Sequence, residues 1–316
     1  MKRFFILLAI SILSLFILCC GGKNIKKPTQ NHTEIKEFNE GMKEIKSGNL
    51  WYNKGCYKQA MRYFSSAHEI FSANDQPRGV AMSYNNMGNA YRAIDDNKSA
   101  VLFYDESFGI YSKEGDDMGA LQALSNKAAA LIDKGEMDEA GKTLDEAESI
   151  SDRINTFFIP LHCNRGVLLT RKGEFQEAHE VLSMALKKAN PGKISEYATA
   201  NYAMGNLLLK KNDYEKAINY LEKALKADRS IGFHKGMADD LAAIGTSYLK
   251  LQKYEKASEY LKRSIKIYAL VKKTEKVHEV LKQLEDASSK ADIDITVTRH
   301  FVKRWMEGDV REGPCD

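Results

Sequence analysis

Proline is scarce in this chain of 316 residues, with five in all. Few positions therefore interrupt a helix by removing a donor and clashing with the preceding turn. Tryptophan occurs twice, and the seven histidines are dispersed, so none pairs with a carboxylate or cysteine at catalytic or ligand spacing. Of five cysteines, Cys19 and Cys20 are adjacent near the start, and Cys56, Cys163 and Cys315 are scattered. Three scattered cysteines give neither a metal spacing nor a disulfide framework. Charge of one sign is also lacking. The formal net charge is +4, falls to about +2 without Lys2 and Arg3, and forms no strong basic stripe, which argues against nucleic acid as a partner.

Motifs that carry chemistry are missing as well. Gly141-Lys142-Thr143 resembles the end of a phosphate loop, but Glu136 stands where the first glycine should be, and the stretch falls inside a helical pattern. His68-Glu69, His179-Glu180 and His278-Glu279 each lack the second histidine of a zinc helix. With no nucleophile–base or metal set, the expectation is a protein without catalytic residues, cofactor, bound metal or small-molecule substrate. What is present is 43% hydrophobic and 28% charged sequence, a balance that suits a helix-rich folded chain better than a disordered one.

The first residues read differently from the rest. Lys2-Arg3 precede an apolar and small-residue run from Phe4 to Leu18, followed by Cys19-Cys20-Gly21-Gly22. A charged start, a 15-residue apolar stretch and a terminal cysteine read as a secretory leader, and the stretch is short for a spanning helix, which needs about 17–25 residues. The segment resembles a bacterial lipoprotein signal over residues 1–19. The resemblance implies that Cys20 becomes the acylated first mature residue, because Cys19 would put bulky Leu18 beside the cleavage site. It also implies a cell-envelope location, lipid-anchored, on the periplasmic face of the outer membrane if the cell has two membranes. Residues 20–36, rich in Lys, Asn, Thr and Gly, read as a solvated tether.

From Gly48 to Ser264 one pattern recurs six times. A small residue (Gly48, Gly88, Ala128, Gly166, Gly205, Gly245) is followed three residues later by a bulky one (Trp51, Tyr91, Leu131, Leu169, Leu208, Tyr248). Nine further on comes alanine (Ala60, Ala100, Ala140, Ala178, Ala217, Ala257), and four beyond that a large apolar residue (Phe64, Tyr104, Leu144, Leu182, Leu221, Leu261). The period is 38 to 40 residues. Within one copy, Tyr84, Met87, Tyr91 and Ile94 form one helical stripe, and Ala100, Phe103, Tyr104, Phe108 and Tyr111 form a second. Asp95-Asp96-Asn97 supplies the turn and the N-cap between them. Gly88 and Ala100 are small where the two antiparallel helices approach, and Gly55, Gly135 and Gly173 are placed to end first helices in a left-handed conformation.

These residues, with a final small column of Ala67, Ser107, Ala147, Ala185, Ala224 and Ser264, resemble the tetratricopeptide repeat over about residues 41–270. The resemblance implies an all-α, right-handed α-solenoid of about six helix-turn-helix repeats over 37–274. Repeats near 40 residues, with Gly79, Gly119 and Gly236 two residues before theirs, resemble the longer-repeat subclass found in scaffold and peptide-sensing proteins. Residues 275–290 are expected to form a capping helix, because an open array needs one. Residues 291–316, where alternation gives way to a basic stretch with Phe301 and Trp305, read as a frayed tail, with docking on a partner or on the array as the alternative.

In this family the first helices line a concave groove that holds an extended peptide or a partner helix. Asn86, Asn126 and Asn164 stand two residues before their small residues, and Asn49, Asn89 and Asn206 stand one after. Asparagine offers donors and an acceptor, which suits gripping a peptide backbone, and these six are the candidate groove residues. Lys127 and Arg165 beside that column read as packed side chains or as readers of an acidic ligand. The expected function is a membrane-anchored interaction scaffold for a protein or peptide partner. The alternative is a peptide-sensing receptor that changes conformation on binding.

Overall fold

The computed structural model describes residues 32–307 and Cys315. The leader and Cys20 lie outside the described residues. Fourteen helices and no strand form among the described residues. Six antiparallel pairs follow one another: α1 (His32–Asn53) with α2 (Tyr57–Ala73), α3 (Pro77–Ala93) with α4 (Asn97–Lys113), and α5 (Asp117–Lys134) with α6 (Met137–Arg153). Then come α7 (Ile159–Lys172) with α8 (Phe175–Lys188), α9 (Ile194–Lys210) with α10 (Tyr214–Ile231), and α11 (His234–Lys250) with α12 (Tyr254–Leu270). The helix α13 (Thr274–Lys290) follows over the stretch expected to form a cap, and α14 (Thr296–Glu307) closes the series. The backbone of α1 starts at His32, inside the segment expected as tether.

The columns of the repeat explain the pairing. A Cβ on Gly88 would lie 2.6 Å from the Tyr104 ring, and one on Gly245 would lie 2.7 Å from Leu261. The small column thus lets α3 and α4, or α11 and α12, close down on the fully buried large residue sixteen positions later. Gly55, Gly135 and Gly173 hold φ of 78°, 90° and 83°, and Asp95, Asn212 and Gln252 take the same left-handed turn position in the other three repeats where residues are larger. Asp96 caps α4 by accepting from the Ser99 amide at 3.0 Å. Buried clusters run from pair to pair, so the core is a continuous spine, as stacking of units that cannot bury their own apolar face requires.

Two expectations need correction. The stretch expected as a frayed tail contains α14, which packs on α12 with Ile295 and Val302 buried in the last core cluster. Phe301 stacks on Trp305 at 5.6 Å, Lys266 lies over the Trp305 ring at 5.4 Å, and Arg299 pairs with Glu285 at 3.0 Å. Docking on the array is the outcome for this segment, because α12 and α13 leave an apolar seam that Ile295 and Val302 cover. The cysteines are the second correction. Cys56 and Cys315 form a disulfide, although 259 residues separate them, and Cys163 remains free and buried.

That disulfide belongs to a set of contacts by which the array returns on itself. The Lys54 carbonyl lies 3.1 Å from Nδ1 of His234, the first residue of α11. Gly55, in the first turn, abuts Val271 at the end of α12. Lys273, only 6% exposed, donates to Asp95 of the second repeat at 2.6 Å. Tyr52 stacks on Phe233 with ring centroids 6.1 Å apart and planes 13° from parallel. Six pairs therefore complete one turn in which the first two repeats meet the sixth.

Candidate ligand groove on the inner face

Closure of the turn brings the end of α1 against α9, α10 and α11, and two cavities open on either side of Tyr52 and Asn53. The first, about 270 Å³, is polar and is bordered by Asn49, Asn86, Asn89 and Ser195. The second, about 280 Å³, is lined by Tyr52, Tyr202 and Phe233 together with Asp228, Asp239 and Gly236. Three of the six expected asparagines thus meet at one cavity, and the structure adds Ser195 from the opposite side of the turn.

The other three do different work. Asn126 Nδ2 donates to Asn85 Oδ1 on α3 at 3.0 Å, and Asn164 Nδ2 donates to the Ser125 carbonyl on α5 at 2.8 Å and contacts Ser125 Oγ at 3.1 Å. These amides tie each first helix to the one before it. Asn206 hydrogen-bonds with Tyr202, a wall of the second cavity. Asn86 Nδ2 turns back to the Met82 carbonyl at 2.8 Å, and Asn89 Oδ1 accepts from the Tyr104 hydroxyl at 2.8 Å. Asn86 keeps its acceptor and Asn89 its donors for a ligand. Lys127 pairs with Asp105 at 2.7 Å, and Arg165 with Asp145 at 2.6 Å and Glu148 at 3.0 Å. Their charges are met by the second helices of the preceding repeats.

The inner face carries charge that sequence reasoning did not single out. Asp133 accepts from Arg92 at 2.8 Å and from Arg171 at 3.2 Å. Asp239 accepts from Lys235 at 2.7 Å and from the Tyr268 hydroxyl at 2.6 Å. Burial pulls the Lys235 ammonium down, but Asp239 outweighs it and holds the group above its usual value. Burial raises the hydroxyls of Tyr52 and Tyr202, so both stay neutral donors. Asp228 and Asp240 are buried, and burial pushes their carboxyls up to about 7 and about 9, with neighbouring carboxylates adding to the rise. Neither Asp240 oxygen has a hydrogen-bond partner.

A family model described as tetratricopeptide repeat matches residues 196–269, which cover α10, α11 and nearly all of α9 and α12. Over that stretch the chain carries tetratricopeptide repeats. A second model, soluble NSF attachment protein, SNAP, matches residues 21–155. Among solved structures, this repeat protein is similar to the Rap conjugation gene regulator of plasmid pLS20 in complex with the Phr* peptide. Identity there is 18% over 85% of this chain and 76% of that one, with a TM-score of 0.55. It is also similar to a chain of the APC/C hetero-tetramer Cut9-Hcn1, with 15% identity, 84% of this chain and 55% of that one, and a TM-score of 0.50. At such identities the likeness is one of fold. No curated protein matches this chain significantly in sequence.

Proposed function

We propose that this protein is a non-catalytic interaction protein of the bacterial cell envelope, anchored through lipid on Cys20, that binds an extended peptide or a partner segment on its inner face. The observation that carries the binding reading is the pair of cavities flanking Tyr52. They are built from repeats at both ends of the turn and offer the amides of Asn49, Asn86 and Asn89 beside the hydroxyl of Ser195. Amide donors and acceptors without a fixed charge suit main-chain recognition. The Rap regulator of similar fold was solved in complex with a peptide, which supports the same reading. The Cys56–Cys315 disulfide supports an oxidising compartment, where such bonds form and persist.

Replacing Asn49, Asn86 and Asn89 together with Ala tests the groove. Partner co-purification from detergent-solubilised cells should be lost while helical content is kept; retained co-purification removes the groove from the account. Incorporation of labelled palmitate into the native chain, and none into Cys20→Ser, tests the anchor. The receptor reading is favoured by one further fact: the cavities are shared between the first repeat and the fifth and sixth, so an occupant touches both ends of the turn. A shift in hydrodynamic radius on peptide addition distinguishes receptor from static scaffold.

A further inference from the structure

Lining up the repeats four residues beyond the final small column gives Phe71, Tyr111, Ser151, Ala189, Asp228 and Tyr268. In the first, second and sixth repeats the residue is a buried aromatic, and Phe71 and Tyr111 lie against a glycine eight residues later, Gly79 and Gly119. In the fifth repeat the glycine is kept as Gly236, but the aromatic is replaced by a carboxylate, and a Cβ on Gly236 would collide with Asp228 Oδ2. A second packing column departs in the same place. Ser83, Ala123, Leu161 and Ala200 are buried in their repeats, and Asp240 stands fully buried in that position. Two carboxyls thus occupy positions that pack apolar or small side chains elsewhere in the array.

Asp228 is 7% exposed and lies on the wall of the 280 Å³ cavity. Its carboxylate makes no hydrogen bond or ion pair among the described residues. Lys235, whose charge acts on Asp228, is already bonded to Asp239. No three metal-ligating side chains converge among the described residues. The cavity walls are instead aromatic, with Tyr52 stacked on Phe233 and Tyr202 beside them, and Ala198 and Ile231 add apolar surface. A carboxylate among aromatic walls is a setting for an organic cation, since ring faces attract positive charge and apolar walls accept methylene groups. A buried carboxylate without a partner is costly, and an incoming ammonium removes that cost while forming a charge-assisted hydrogen bond.

We propose that this cavity is a cation pocket in which Asp228, walled by Tyr52, Tyr202 and Phe233, receives an ammonium group carried by the ligand of the groove. The inference rests on the peptide-binding reading and narrows it to ligands bearing a lysine side chain or a free amino terminus at the position that reaches Asp228. Tyr52, Asn53 and Ser195 line both this cavity and the asparagine-lined one, so a peptide held along Asn86 and Asn89 can place one end group or side chain beside Asp228.

The test uses the full chain and three heptapeptide pools randomised over Ala, Ser, Leu and Asn. One pool is N-acetylated with a central Lys, one has a free amino terminus and no Lys, and one is N-acetylated without Lys. At least one cationic pool should bind about tenfold more tightly than the neutral pool, and Asp228→Asn should abolish that preference. The preferred pool tells side-chain from terminal ammonium. Asn has nearly the shape of Asp and carries no charge, so the variant keeps the fold, which its melting curve verifies. Equal binding of all three pools, or a preference that survives Asp228→Asn, overturns the pocket and leaves the groove standing. Binding of no pool overturns the groove and the pocket with it.

Discussion

Asp240→Ala should make this protein more stable, and by an amount that depends on pH. Asp240 is fully buried in a column that elsewhere holds Ala123 and Ala200, and neither carboxylate oxygen has a partner. Burial, then Asp228 and Asp239, pushes its carboxyl up to about 9. An unfolded aspartate titrates near 3.9, so the folded chain must take up a proton at neutral pH. A raised carboxyl contributes stability that is complete below the unfolded value and is lost as pH rises through the folded one. At 1.36 kcal/mol per pH unit the penalty is about 4 kcal/mol at pH 7 and about 1–2 kcal/mol at pH 5. Alanine removes this penalty and leaves a small void costing about 1 kcal/mol. The net gain is then about 3 kcal/mol at pH 7 and under about 1 kcal/mol at pH 5. With about 2–4 °C of Tm per kcal/mol for a chain of this size, the Tm rises by about 6–12 °C at pH 7 and by a degree or two at pH 5. Thermal unfolding followed by circular dichroism at both pH values measures it. A variant no more stable than the native chain at pH 7, or a gap that does not shrink on acidification, refutes the argument.

Three further outcomes follow from the packing and the closure. Gly88→Val, which drives a branched side chain toward the Tyr104 ring 2.6 Å from the Cβ position, should lower stability by about 1–3 kcal/mol in urea titration. Asp95→Asn leaves the buried Lys273 ammonium without its counter-charge, and should cost about 2 kcal/mol and weaken contact between the second repeat and α13, read as faster amide exchange at the start of α13. Cys315→Ser opens a loop closed across 259 residues and should cost about 2–5 kcal/mol, with the native chain showing the same loss when reduced.

Much of the fold was legible because each repeat states its own packing. The small column at Gly88 and Gly245 and the large one at Tyr104 and Leu261 meet as spacing required, and Gly55, Gly135 and Gly173 take the left-handed turn. These are contacts within a pair of helices, and local sequence determines them. Closure was not legible, because it depends on the rotation accumulated over six repeats, which no single repeat encodes. The pairing of Cys56 with Cys315 and of Asp95 with Lys273 is hidden for that reason. The site was half legible. Spacing placed the asparagines on one face but not their partners, so Asn126 and Asn164 looked as free as Asn86. Asp228 carried a signal that could have been read: a carboxylate in a column that holds a buried aromatic in three repeats, eight residues before a glycine that elsewhere receives a ring.

The returning turn bears on how such a chain can vary. An open repeat array tolerates the loss or gain of a unit, because each unit meets only its neighbours. Here Lys54 must meet His234, Asp95 must meet Lys273 and Cys56 must meet Cys315, and all three meetings depend on there being six pairs. A chain with five or seven would miss every one of them at once. The number of repeats is therefore quantised by the closure, and a duplication that would merely lengthen another array would here unmake the chamber it surrounds.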